Sequence, residues 1–234
     1  MLNIIYLSIV QGLTEFLPIS SSGHLRVFHQ ILNFYDNFLF LDVMLHFGTL
    51  LAIILCFRKR IFSILNEIFK NKNWKYLYLI IIACIPAFFA GVFLKGVVQD
   101  FFSLKIVGVC FVITAVLLLF INKTKGEKEI KDLSYFDSFK IGLMQAFAIL
   151  PGISRSGFTL GGGMLSGLKK EEAFDFSFIL AIPVILGASL FEGISNFSVF
   201  SSNISLYLVG LITSFIFGIL GIYLFRVLVK NSKL

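Results

Sequence analysis

Long apolar runs alternate with short polar connections along the chain, and the length of each run decides what it can be. Five runs, at about 38–57, 76–95, 104–121, 173–194 and 206–229, are long enough to cross the ~30 Å of hydrocarbon in a bilayer as single helices. Two others stop short. Residues 1–17 run into Pro18 and the serines after it, residues 135–150 run into Pro151, and each segment then becomes apolar again. Such a pattern predicts a re-entrant hairpin, whose irregular backbone is tolerated at membrane depth only inside protein or beside a wet cavity. The first segment lacks the basic start and small-residue cleavage site of a signal peptide and is expected to remain in the protein. The expected fold is an all-α integral membrane protein with about five transmembrane helices and two re-entrant helix hairpins.

Composition agrees, since 58% hydrophobic residues, 29 Phe among 234 residues and a mean hydropathy of +0.94 leave too few polar side chains to cover a soluble surface. Cys56, Cys84 and Cys110 lie in or at the ends of apolar spans, with no metal or disulfide spacing. They read as buried, inert thiols.

The net charge of +7 matters through its placement. If each hairpin returns to the side it entered, one side collects Arg58, Lys59, Arg60, Lys70, Lys72, Lys75, Lys123, Lys125, Lys128, Lys131, Lys140, Lys169, Lys170, Arg226, Lys230 and Lys233. The other side keeps Arg26, Lys95 and Lys105, and Arg155 falls in the second hairpin. The positive-inside rule puts the basic side in the cytoplasm of a bacterial inner-membrane protein. The first hairpin then enters from outside and the second from inside. This distribution accounts for a pI near 9.3 without any nucleic-acid partner. The segment "FRKRIFSILNEIFKNKNWK" is expected to lie along the cytoplasmic interface as an amphipathic helix, with anionic membrane lipid as its partner.

An internal repeat connects the two breaks. Nine to twelve places after Gln11 stand Ser20, Ser21, Ser22 and Gly23; the same offsets from Gln145 give Ser154, Arg155, Ser156 and Gly157, and Ile19 matches Ile153. The chain reads as a single membrane domain, 1–234, with repeat one at 1–122 and repeat two at 135–229. Opposite directions of entry make the repeat inverted, an arrangement whose broken helices meet near the midplane to form a site.

The residue types at the breaks suit an anion. Pro151 and Gly152 end one half-helix, and Ser154, Arg155, Ser156 and Thr159 open the next. Amide N–H groups, hydroxyl donors and a guanidinium there favour negative charge, and the planar fork of arginine suits phosphate. The first break adds Ser20, Ser21, Ser22 and His24, which are donors with a candidate nucleophile and a proton carrier. Gln11 and Glu15, four apart, share a helix face before it. Any single serine in a membrane helix more often bonds backbone or allows close packing. Gly161, Gly162 and Gly163 read as packing positions, His29 and His46 as structural or interfacial, and Asp42 and Glu192 as lying near span ends. Glu15 and Arg155 stand apart, because burying either charge costs about 2.5–3.5 kcal/mol even on lenient scales. A purely structural Glu15–Arg155 pair would leave His24 and the second serine cluster unexplained.

At these residues the sequence resembles the undecaprenyl-diphosphate phosphatase family, the bacitracin-resistance proteins. "QGLTEFLPISSSGHL" and "PGISRSGFT" are similar to its two signature motifs, and "LHFGTLLAI" and "FSFILAIPVILGAS" extend the likeness over nearly the whole chain. The resemblance implies dephosphorylation of a C55 polyprenyl diphosphate to the monophosphate, recycling the carrier lipid for cell-wall polymers, in a pocket open to the outer face. It implies that Arg155, with Ser154, Ser156 and Thr159, clamps the diphosphate. Ser21 becomes the candidate nucleophile and His24 its proton-transfer partner, while Gln11 and Glu15 orient the site or hold a divalent cation such as Mg²⁺ or Ca²⁺. Ser20 and Ser22 are counted with the substrate-binding donors.

Attack by Ser21 and direct attack by water activated by His24 or Glu15 both fit these residues. The expected partners are the polyprenyl diphosphate lipid and membrane lipids; a homodimer is compatible with this reading and not required by it. The resemblance implies a sixth spanning helix, typical of the family, after the equivalent of 206–229, whereas here the sequence stops at "VLVKNSKL", and this end is expected in the cytoplasm. A second reading is a polyprenyl-phosphate flippase using the same anion site, because broken helices in inverted repeats are also the architecture of secondary transporters. An acid-phosphatase-type lipid phosphatase fits less well, since that class uses a histidine downstream of its Ser-Arg motif and all three His here precede Gly157.

Overall fold

The structure is a computed structural model that describes residues 1–32, 38–100, 103–195 and 204–231. The side chains of Lys95 and Glu192, and Lys233 as a whole, lie outside the described residues. Among them the chain forms α1 (Leu2–Phe16), α2 (Ser21–Ile31), α3 (Phe38–Cys56), α4 (Arg58–Phe69), α5 (Lys75–Asp100), α6 (Leu104–Ile121), α7 (Tyr135–Phe147), α8 (Arg155–Leu165), α9 (Lys170–Ser195) and α10 (Ile204–Lys230). Helices α5, α6, α9 and α10 are each long and apolar enough to cross a membrane, and there are up to five spans if α3 and its bent continuation α4 count as one. The all-helical membrane fold expected from the sequence is the one found.

Both short apolar segments break where the proline chemistry requires. Helix α1 ends at Leu17, whose φ of −61° and ψ of 141° are the extended backbone imposed on the residue before Pro18. Helix α7 opens with a reciprocal cap between Ser134 and Asp137 and closes at Ala148, ahead of Pro151. At 15 and 13 residues, α1 and α7 reach only about 20–23 Å at ~1.5 Å per residue, too short to span.

Each short helix before a break packs along a long helix distant in the sequence: α1 lies along α10, and α7 along α5. Helix α3 also runs along α10. With lipid as solvent, van der Waals contact through small residues supplies much of the attraction between such helices. At Gly48 an added Cβ would fall 2.4 Å from the Leu211 carbonyl oxygen and 2.1 Å from Ser214 Oγ; at Gly142 it would fall 2.6 Å from the Ala83 carbonyl oxygen.

Phenylalanine fills the space beneath the breaks. Phe178 stacks on Phe16 and on Phe57, with centroids 5.3 and 4.9 Å apart, and Phe174 and Phe225 complete the cluster. It joins the end of α1, the α3–α4 junction, α9 and α10. Arg226 lies over the Phe57 and Phe174 rings at 5.4 and 5.8 Å, where a guanidinium gains from both π faces.

At Phe57 the chain turns by 72° into α4. Ile64 and Ile68 of α4 are buried, while Phe62, Leu65 and Phe69 are exposed with Arg58 and Lys59. Arg60 ties α4 to Glu172 of α9 at 3.4 Å. In the loop before α7, Lys131 and then Lys169 hold the Glu129 carboxyl below its ordinary range.

Gly48→Ala should lower thermal stability in detergent by about 1–3 kcal/mol, because a backbone carbonyl cannot move aside as a side chain can. Gly91→Ala, where an added Cβ meets nothing within 4 Å, should be neutral or stabilising. Thermal unfolding of the two purified variants beside the parent checks the contrast.

Candidate active site

The two breaks meet back to back. Ser20 Oγ accepts the Gly152 N–H at 3.1 Å, linking positions 132 residues apart, and also caps its own helix by accepting from Gly23 N at 3.4 Å. Ser20 has φ 64°, an uncommon conformation for a residue with a side chain and one that clusters at functional sites. Gly152 has φ 95°, and a Cβ there would fall 2.5 Å from the Val107 carbonyl oxygen of α6, so only glycine fits. Thr114 of α6 donates to the Gly152 carbonyl at 3.0 Å and accepts from Ser154 N at 3.2 Å. Ser154 then caps α8 by accepting from Gly157 N at 3.1 Å. The N-termini of α2 and α8 are thereby brought to one place, and their partial positive charges add.

Beside them opens a cavity of about 300 Å³. Its polar end is lined by Glu15, Ser20, Ser21, Ser22, Asp42, His46, Ser154 and Arg155, and its flank by Val43, Ala148, Ile153, Val184, Ile185, Ala188 and Ser189. Glu15 is its organising group, with its side chain 5% exposed. Arg155 donates to Glu15 Oε1 at 2.5 Å, and Ser21 Oγ donates to Oε2 at 2.5 Å. Gln11 Nε2 also donates to Oε2, at 3.1 Å, and His46 Nε2 stands 3.5 Å from the same oxygen. Three donors on one group match the acceptor-only chemistry of a carboxylate. A hydroxyl held on a carboxylate beside a guanidinium is the equipment for attack on a phosphorus centre, with a base for the proton and a cation for the charge.

The structure divides the residues singled out from the sequence. Glu15, Ser20, Ser21, Ser22, Ser154 and Arg155 line the cavity. Gln11, Ser156 and Thr159 stand behind it: Gln11 supports Glu15, Ser156 Oγ donates to the Leu17 carbonyl at 3.3 Å, and Thr159 Oγ1 donates to the Arg155 carbonyl at 2.8 Å and pairs with Ser177 Oγ of α9. His24 is not among the lining residues. Its Nδ1 is 2.8 Å from the Ser20 carbonyl oxygen and its ring packs against Phe111. His46 and Asp42, read from the sequence as structural or near a span end, do line the cavity, and Asp42 Oδ1 also pairs with His29 Nε2 at 2.9 Å. The signal available for both was an ionisable residue within an apolar span.

A divalent ion on Gln11 and Glu15 finds a poor donor set. Both Glu15 oxygens are engaged, one by a cation, and the buried Gln11 Oε1, which has no hydrogen-bond partner, is the one acceptor left over on this pair. Among the described residues no group of three or more His, Cys, Asp or Glu is placed to hold a metal.

The sequence is similar to known proteins along nearly its whole length. The family described as "Bacitracin resistance protein BacA" matches residues 4–234. An undecaprenyl-diphosphatase of Thermosipho melanesiensis is 46% identical, over 98% of this chain and 92% of its own length. Those of Methanococcus vannielii and Caldicellulosiruptor bescii are 42% and 37% identical, over 98% and 97% of this chain and 92% and 88% of theirs. With a family match that runs through both breaks and relatives this similar along nearly its full length, the chain belongs to the BacA family of bacitracin resistance proteins.

Proposed function

We infer that this protein hydrolyses undecaprenyl diphosphate to undecaprenyl phosphate and phosphate, recycling the carrier lipid for cell-wall polymer synthesis and thereby conferring bacitracin resistance. One observation carries the reading: Ser21 Oγ and the Arg155 guanidinium are held on the two oxygens of a single buried carboxylate, Glu15, where the N-termini of α2 and α8 converge. The activity named for the relatives supports it.

The residues divide the work as follows. An incoming diphosphate competes with Glu15 for Arg155, whose fork moves onto phosphate oxygens that carry more charge than the carboxylate. The first turns of α2 and α8 and the hydroxyls of Ser20, Ser22 and Ser154 complete the clamp. Released from Arg155, Glu15 is the stronger base; it already accepts the Ser21 hydrogen bond and takes that proton as Oγ attacks. Ser21 Oγ attacks the terminal phosphorus, the bond to the bridging oxygen breaks, and undecaprenyl phosphate departs as an anion needing no proton. Water then displaces Ser21 from phosphorus and the proton returns to Oγ. In direct attack, Glu15 takes its proton from the water instead, with the same clamp. No step passes through a divalent ion, for which Gln11 and Glu15 fit poorly. The apolar flank formed by Val43, Val184, Ile185 and Ala188 suits the first isoprenoid units of the substrate. We place the protein in the bacterial cytoplasmic membrane with this cavity toward the outer face, on the strength of the basic residues gathered on the opposite side.

Purified protein in detergent should release phosphate from undecaprenyl diphosphate. Arg155→Ala should lower kcat/KM by about 10³-fold or more, the scale of an arginine that stabilises a phosphoryl transition state. Ser21→Ala should cost about 10³-fold or more if serine attacks, and much less if water does. Phosphate assays on folded variants check both, and a folded parent that moves lipid across vesicles without releasing phosphate would turn the reading to transport. For topology, a chain with its three native cysteines replaced should react with a membrane-impermeant maleimide in spheroplasts when it carries Lys105→Cys, and should not with Lys72→Cys or Lys125→Cys. The opposite labelling would place the cavity on the inner face.

A further inference from the structure

His46 stands where the reaction needs a second base. Three groups lie in sequence along the polar end of the cavity: Ser21 Oγ, the Glu15 carboxylate 2.5 Å from it, and His46 Nε2 at 3.5 Å from that same Glu15 Oε2. The tautomer follows from the other ring nitrogen. His46 Nδ1 is 2.7 Å from the Asp42 carbonyl oxygen, a pure acceptor, so Nδ1 carries hydrogen and Nε2 is the atom that gains or loses a proton. With His46 neutral, a lone pair on Nε2 faces a lone pair on Glu15. A proton placed between them removes that repulsion.

We propose that His46 is the positioning residue and proton store of this site, taking from Glu15 the proton that the attacking hydroxyl releases. The proposal rests on the hydrolase reading above and adds a second acceptor to it. In the attack the Ser21 O–H bond breaks and an Oγ–P bond forms. The proton passes through Glu15 Oε2 to His46 Nε2, and the electron pair of the broken P–O bond leaves on undecaprenyl phosphate. When water displaces Ser21, the stored proton returns through Glu15 to Oγ and the protons of water leave with the phosphate product. Direct attack by water uses the same Glu15–His46 pair for the water's proton. Storage on His46 leaves Glu15 ionised, able to recapture Arg155 when product leaves. His24, bonded through Nδ1 to the Ser20 carbonyl and packed on Phe111, does not line the cavity in which this transfer occurs.

Among the described residues the charged surroundings of His46 are few. Glu15 of α1 and Arg155 of α8 share the cavity with it; on its own helix the Asp42 carboxylate is turned to His29 of α2, with Arg26 acting on the same aspartate. Helix α9 faces the cavity with Val184, Ile185, Ala188 and Ser189, none of which titrates between pH 5 and 9, and α10 meets α3 through Leu211 and Ser214 at Gly48.

His46→Gln decides the matter, because a glutamine amide can donate to Glu15 and cannot store a proton. Phosphate release from undecaprenyl diphosphate by the parent, His46→Gln and His46→Ala would be followed from pH 5 to 9, with thermal unfolding to confirm that each is folded. The expected result is a fall in kcat of about 10²-fold or more in both variants, the usual scale for lost proton transfer, with KM within about threefold of the parent. The acidic limb of the parent's kcat/KM profile should flatten in both, and added imidazole should restore part of the rate to His46→Ala and none to Glu15→Gln. Parent-like kcat in His46→Gln would overturn the proposal, as would a loss in which the acidic limb persists and imidazole restores nothing, because a structural histidine gives either. A folded parent that releases no phosphate would overturn the hydrolase reading first and this inference with it, whereas release by the parent leaves that reading standing whatever the His46 variants do.

Discussion

The site depends on a pair of charges, each poorly placed for its own helix. Glu15 lies in the last turn of α1, where the helix dipole is negative, and Arg155 is the first residue of α8, where it is positive. Neither helix favours the charge it carries, and burial at 5% and 16% exposure removes most of the help from water. Each is the other's remedy, at 2.5 Å. Deleting one partner of a buried pair costs about 3–5 kcal/mol because the other is stranded. The same frustration prepares the site for an anion. Arg155 and the amino end of α8 both attract negative charge, so a diphosphate satisfies at once two groups that Glu15 satisfies only singly.

Holding that pair requires two backbone breaks to be in register, and most of the surrounding architecture serves this. The Ser20 to Gly152 hydrogen bond joins the breaks directly, and Thr114 of α6 fastens the second from behind. Beneath Glu15 its neighbour Phe16 enters the phenylalanine cluster with Phe57, Phe174, Phe178 and Phe225, so the end of α1 is tied to three long helices. The packing of α1 on α10 and of α7 on α5 means that neither short helix can shift without moving a long helix distant in the sequence.

The sequence resolved the elements well because their causes are local. Proline removes an N–H and forces the preceding residue out of helical geometry, so Pro18 and Pro151 announced both breaks. The apolar runs had the length of spans, and α6 falls at 104–121 as read from hydropathy alone. Helical phase within the site was less legible. Thr159, one turn beyond Arg155, was expected beside it at the ligand, yet its hydroxyl turns back to the Arg155 carbonyl and to Ser177. His24, one turn from Ser21 along α2, lies outside the cavity lining and His46 lies within it, because spacing along α2 says nothing of how α3 approaches α1.

What the sequence determined by itself was the solvent, the spans, the two breaks and the inventory of donors suited to phosphate. Each follows from composition or from the conformational limits of a few consecutive residues. Tertiary structure alone decided which donors share one cavity. The meeting of Glu15 with Arg155, 140 positions away, and of Glu15 with His46 across two helices depends on crossing points set by contacts such as Gly48 against Leu211 and Ser214. Those contacts sum many weak interactions over residues far apart in the chain, and their periodicity says which face of a helix is buried without saying against what.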